Sequence, residues 1–108
     1  MGHDRKVTEL YTIAENLIEY EEVFWDDVVR EFSYYENYED PIDCIEGDKG
    51  REVGEFDVFL FNEEEQVGLY LEVKPHRGEF NYADEQIERA DNFFEEWDIY
   101  GQKYAHRR

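Results

Sequence analysis

The sequence predicts an α/β fold in which a β-hairpin, residues 56–74, is flanked by helices at about 5–20 and 82–97. Three patterns predict it. Near the start, apolar residues recur at helical spacing. In the middle, two runs rich in aromatic and branched residues are separated by four polar ones. After Pro75 and Gly78 a second helical stripe begins.

The first stripe is Val7, Leu10, Tyr11, Ala14, Leu17 and Ile18, one face of an amphipathic helix. From Val23 to Tyr35 two periods compete. Trp25, Val28, Val29 and Phe32 keep helical phase, whereas Val28, Phe32 and Tyr34 suit a strand, and a strand from about Val28 to Tyr35 is the reading adopted. Glu36 to Gly54, with Pro41, Gly47, Gly50 and Gly54 among many acids, reads as a loop without the Asp-x-Asp-x-Asp-Gly spacing of a calcium site. Phe56–Asn62 and Val67–Lys74 form the hairpin strands around Glu63-Glu64-Glu65-Gln66. Asn81 is placed to cap the second helix, whose inward face is Ala83, Ile87, Ala90, Phe94 and Trp97. Ile99 to Tyr104 suits a last short strand, ahead of a basic end, His106-Arg107-Arg108.

A length of 108 residues matches one domain, 1–108, and 41% hydrophobic residues with nineteen aromatic rings suffice for a packed core. Thirty acids against eleven Lys plus Arg give a net charge of −19, which excludes a generally polyanion-binding surface and an anionic membrane as partner. No apolar run approaches the roughly 20 residues that cross a bilayer, and a single cysteine, Cys44, leaves no internal disulfide, so a cytoplasmic location is expected. Four Lys against seven Arg, with acids spread along the chain, resemble the composition of salt-adapted halophilic proteins. The alternative is that the carboxylates imitate DNA phosphates and occupy a DNA-binding partner's site. Charge alone does not separate the two.

Hairpin geometry brings chemistry together. With Glu63 to Gln66 as the loop, Asn62 faces Val67, which sets Asp57 opposite Glu72 and Glu55 opposite Lys74. Alternation puts Glu55, Asp57 and Phe59 on one face of their strand, and Tyr70, Glu72 and Lys74 on one face of theirs. Carboxylates about 5 Å apart repel by roughly 3 kcal/mol at an effective dielectric near 20. Either one acid is protonated or a divalent cation with hard oxygen ligands, magnesium or manganese, lies between them. Lys74 on the same face is placed to hold a water near that metal.

Asp57 followed by Glu72-Val73-Lys74 resembles the motif of the PD-(D/E)xK nuclease superfamily, which includes restriction endonucleases and archaeal Holliday junction resolvases. The similarity covers the order of elements from about Val7 to Trp97, with Phe56 where the motif's name has Pro. It implies a restriction endonuclease-like core with a mixed central sheet and Mg2+- or Mn2+-dependent hydrolysis of DNA phosphodiesters. It also implies a first-helix acid, matched by Glu15, with Glu9 or Glu19 as stand-ins and Glu31 a further candidate where residues 22–33 are helical, and a polar residue near the start of the following helix, matched by Gln86. By the same analogy the Val73 carbonyl is a further metal ligand and a homodimer cuts paired strands. The superfamily presents a basic DNA-binding face. Here Lys49, Arg51, Lys74, His76, Arg77 and Arg89 lie in the segments around the proposed site. The expected protein is thus a small DNA endonuclease acting on duplex or branched DNA, with an acidic DNA mimic or an inactive DNA-structure binder as alternatives.

Overall fold

The computed structural model describes residues 2–20, 24–47 and 50–106, apart from the side chain of Tyr20. Val23, Lys49, Arg107 and Arg108, all used above, lie outside the described residues. Helix α1 spans Gly2–Tyr20, strand β1 Asp27–Tyr35, helix α2 Pro41–Glu46, strand β2 Glu52–Asn62 and strand β3 Val67–Lys74. A 3-10 turn at Arg77–Glu79 leads into helix α3, Phe80–Phe93, and strand β4, Asp98–Ala105, follows.

The four strands form a mixed sheet in the order β1-β2-β3-β4. The first three are antiparallel neighbours, while β3 and β4 are parallel and joined through α3. Such a return needs a crossover helix, which α3 supplies. One face of the sheet carries a mainly aliphatic core of Val7, Leu10, Ala14, Val58, Leu60, Leu71 and Val73 under α1. The other carries an aromatic core under α2 and α3, including Phe32, Tyr34, Phe56, Phe59, Tyr70 and Phe94. Phe56 and Tyr70 stack with centroids 3.5 Å apart.

Several boundaries differ from the sequence expectation. Helix α1 begins at Gly2, and its residue Leu17 is 44% exposed instead of sharing the buried stripe. The segment read wholly as loop contains α2, because Asp40 caps it by accepting a hydrogen bond from the Ile42 amide and Pro41 takes the first helical position, where its missing N–H costs nothing. Strand β2 starts four residues before Phe56, paired with β1 back to Glu52. Helix α3 runs over 80–93 instead of 82–97, and Asn81 lies inside its first turn instead of capping it. Phe94 and Trp97 stay buried beyond its end.

The alternation of faces also breaks. Val58 and Leu60 belong to the α1-side core, yet Phe56 joins Phe59 on the aromatic side, so the strict alternation of Glu55, Asp57 and Phe59 does not hold. Strand β1 changes face at the neighbouring place. Val28 lies on the α1 side and Phe32 and Tyr34 on the other, with Glu31 between them at φ 55°. A non-glycine residue in that left-handed region redirects the side chains that follow it. This reversal lies beside Asp57: Arg30 pairs with Val58 and Phe32 with Phe56.

Candidate active site

The hairpin register is the predicted one, Asn62 against Val67, and pairing continues to Val58 against Leu71. There it stops, one step short of Asp57 and Glu72, so Glu55 and Lys74 do not pair. Where the ladder opens, side chains take over its hydrogen bonds. The Asp57 amide donates to Glu72 Oε1 at 3.1 Å, and the Val73 amide donates to Asp57 Oδ2 at 2.8 Å. Each carboxylate is thus held by an amide of the facing strand, which satisfies amides that would otherwise be buried without partners.

Burial sets the electrostatics. Glu72 is 3% exposed, the only charged residue in the core among the described residues. Burial first, and the Asp57 charge second, push its carboxyl up to about 7. The Asp57 amide, the Lys74 ammonium and His3 oppose that rise. Lys74 Nζ lies 3.7 Å from Glu72 Oε2, and both side chains are largely buried. Nearby, Glu55 is also raised, by burial and then by the charges of Glu52, Glu31 and Asp57.

Asp57, Glu72, Val73 and Lys74 therefore converge, Val73 through its amide. Glu15 does not join them. It is exposed on α1 and accepts a hydrogen bond from the Tyr11 hydroxyl at 3.0 Å. The end of α1 that reaches the pair is its first turn, where His3 Nε2 lies 3.3 Å from Asp57 Oδ2. Twelve residues of helix separate Glu15 from that turn, about 18 Å of axial rise. His3 is one turn before Val7, on the same helix face, and that spacing was the available signal for it. Gln86 sits on the inward face of α3 between Ala83 and Ala90. Its Oε1 is buried without a hydrogen-bond partner among the described residues, and no hydrogen bond there links it to Asp57 or Glu72.

No known protein family, curated protein or solved structure matches the chain.

Among the described residues no group of three or more His, Cys, Asp or Glu side chains is arranged to hold a metal ion. The donors present are two carboxylates. Asp57 Oδ1 and Glu72 Oε2 are the oxygens not occupied by a facing backbone amide among the described residues. Magnesium is commonly held by one or two carboxylates, retaining waters and taking substrate phosphate oxygens, so a pair of hard oxygen donors fits that ion. A divalent charge beside Glu72 would also offset the two influences that raise its pKa.

Beyond Lys74 the chain turns through Pro75 to His76 and Arg77, which with Phe80, Lys103 and Tyr104 line a groove. His76 pairs with Glu79 at 3.4 Å and Lys103 with Asp84 at 2.6 Å. Lys103 was not visible as a neighbour of the site from sequence, because only the parallel register brings it opposite Glu72. Among the described residues no helix is long and apolar enough to cross a membrane.

Proposed function

We propose that the protein is a metal-dependent DNA endonuclease of the PD-(D/E)xK kind, with a restriction endonuclease-like core. The observation that supports this best is the convergence of Asp57, Glu72 and Lys74 where the β2–β3 ladder opens. Two carboxylates can hold a divalent ion and the nearby ammonium can orient a water, the roles that metal-assisted phosphodiester hydrolysis uses. Apart from the short α2 between β1 and β2, the order of elements, a helix, three antiparallel strands, a helix and a parallel strand, agrees with that reading.

Asp57 and Glu72 would hold Mg2+ or Mn2+, which when bound supplies a water of lowered pKa and a counter-charge for the phosphoryl oxygens. The amides of Val73 and Asp57 fix the two carboxylates, so that neither must reorganise when substrate arrives. Lys74, held beside Glu72, orients the attacking water by hydrogen bonding. The water oxygen bonds to phosphorus and the bond from phosphorus to the 3′ oxygen breaks. One proton of that water completes the 3′ hydroxyl, leaving a 5′ phosphate. His3 steadies Asp57 from the first turn of α1.

The test is cleavage of branched, linear duplex and single-stranded DNA with magnesium, at low and at molar salt. Asp57→Ala and Lys74→Ala are each expected to lower cleavage by about a thousandfold while circular dichroism stays unchanged, since metal and charge stabilisation supply several kcal/mol. No cutting of any substrate, together with no magnesium binding by calorimetry, removes the reading.

A second reading rests on a different observation. Glu36, Glu39, Asp40, Asp43, Glu95 and Glu96 line one cavity of about 450 Å³, a concentration of negative charge suited to imitating DNA phosphates. It predicts that the protein binds a DNA-binding partner and that DNA competes it off, without turnover.

A further inference from the structure

We propose that the groove beyond Lys74 seats a single-stranded DNA tail next to the Asp57–Glu72 pair. The tail's role as substrate rests on the nuclease reading, whereas the binding itself rests on the groove.

Position comes first. The groove opens at the carboxyl ends of the parallel strands β3 and β4, where α3 begins, and ligands of α/β sheets settle at such ends. Lys74 pairs with Ala105, and the His106 amide donates to the Lys74 carbonyl at 3.1 Å, so the wall of the groove starts beside the site's own lysine.

Size and chemistry narrow the occupant. A volume of about 1050 Å³ lies at the upper edge of small-molecule pockets, and the open groove leaves room for a stretch of an extended ligand. The walls combine cations with rings. Arg77 is exposed on the turn, with no ion pair among the described residues. Lys103 Nζ is shared between Asp84, at 2.6 Å, and the Phe80 ring, 5.5 Å from its centroid, while half-buried Tyr104 borders the groove and packs against the α1-side core. Duplex DNA presents paired, stacked bases and two lines of phosphates, and it needs a broad basic face that a chain of charge −19 lacks. An unpaired strand offers a base face to Phe80 and a phosphate to Arg77, with Lys103 joining where a phosphate draws it from Asp84, which matches the few groups this groove supplies. Positive charge is local here because one strand end is all it must meet.

Fluorescence anisotropy in EDTA over a salt series tests this with three labelled probes. These are an oligothymidine of roughly 15 nucleotides, a blunt duplex, and the same duplex carrying that tail. The tail and the tailed duplex are expected to bind at least about tenfold tighter than the blunt duplex. Phe80→Leu keeps the apolar bulk but removes the stacking face, and weakens tail binding by about tenfold. Arg77→Ala, on an exposed turn where folding is not at stake, lowers the slope of log K against log salt by roughly 0.7. Equal or tighter binding of the blunt duplex, or no change in either variant, overturns the proposal. Cleavage of the tailed duplex in magnesium separates the two readings. Groove-dependent binding with no cutting of any DNA substrate and no magnesium binding leaves the groove standing and ends the nuclease, while cleavage indifferent to the tail and to Phe80→Leu does the opposite.

Discussion

The two ends of the β2–β3 hairpin are made from the same pair of strands and behave differently. At the turn end, Asn62 to Val58 pair residue by residue with Val67 to Leu71, and Phe59 and Leu60 bury on opposite faces. At the other end the ladder opens, and the amides of Asp57 and Val73 bond to carboxylates instead of to carbonyls. Backbone pairing leaves side chains free to build the core. Where it stops, the freed amides can hold charged groups that a core would reject. The regular end sets the register, and the register carries Asp57 to Glu72, so the stable half of the hairpin positions the half that buries the carboxylate pair.

The contrast can be broken from either side. Phe59→Ala removes a fully buried ring that packs between Phe32 and Tyr70, and is expected to cost about 3 to 5 kcal/mol, measured as a fall in the urea midpoint. At the open end the effect should depend on pH. Glu72 has its carboxyl raised to about 7 in the fold against an ordinary value near 4.5, so the folded state holds its proton more tightly than the unfolded chain. This group's contribution is therefore fully favourable below about 4.5 and is lost as pH rises to about 7, a total of roughly 3 kcal/mol. Denaturant titrations without metal should show that decline in the wild type, and Glu72→Gln should flatten it. A decline of equal size in the variant assigns it to other acids. The smallest of the three effects returns to the regular end. Gly68→Ala would put a Cβ 2.6 Å from a Phe59 ring atom and 3.0 Å from Ile99, so a loss of about 1 to 3 kcal/mol is expected, read as a lowered melting temperature.

Much of this was legible from local pattern. The four-residue polar loop set the hairpin register, and the stripe from Val7 to Ile18 marked α1. The run from Ile99 to Tyr104 suggested β4, although nothing local said that it would run parallel to β3 and bring Lys103 opposite Glu72. Helix α2 was hidden because Pro41 among acids reads as a breaker, while the Asp40 cap makes it a starter. The reversal of faces at Glu31 and Asp57 was not legible either, since strict alternation is the default for a strand and one left-handed residue overrides it.

The first-helix partner of the site shows the same division most sharply. Helical spacing identified which side of α1 is buried, and both Glu15 and His3 were open to inspection in the sequence. Only the packed structure shows that the helix meets the carboxylate pair with its first turn, so that His3 reaches Asp57 and Glu15 is left in solvent beside Tyr11. Periodicity by itself determined α1, the core of α3 and the hairpin pairing, because those depend on residues a few positions apart. Which ends meet, and which charges are buried together, was decided by tertiary structure, because strand twist, crossover direction and helix placement are set by packing over the whole sheet.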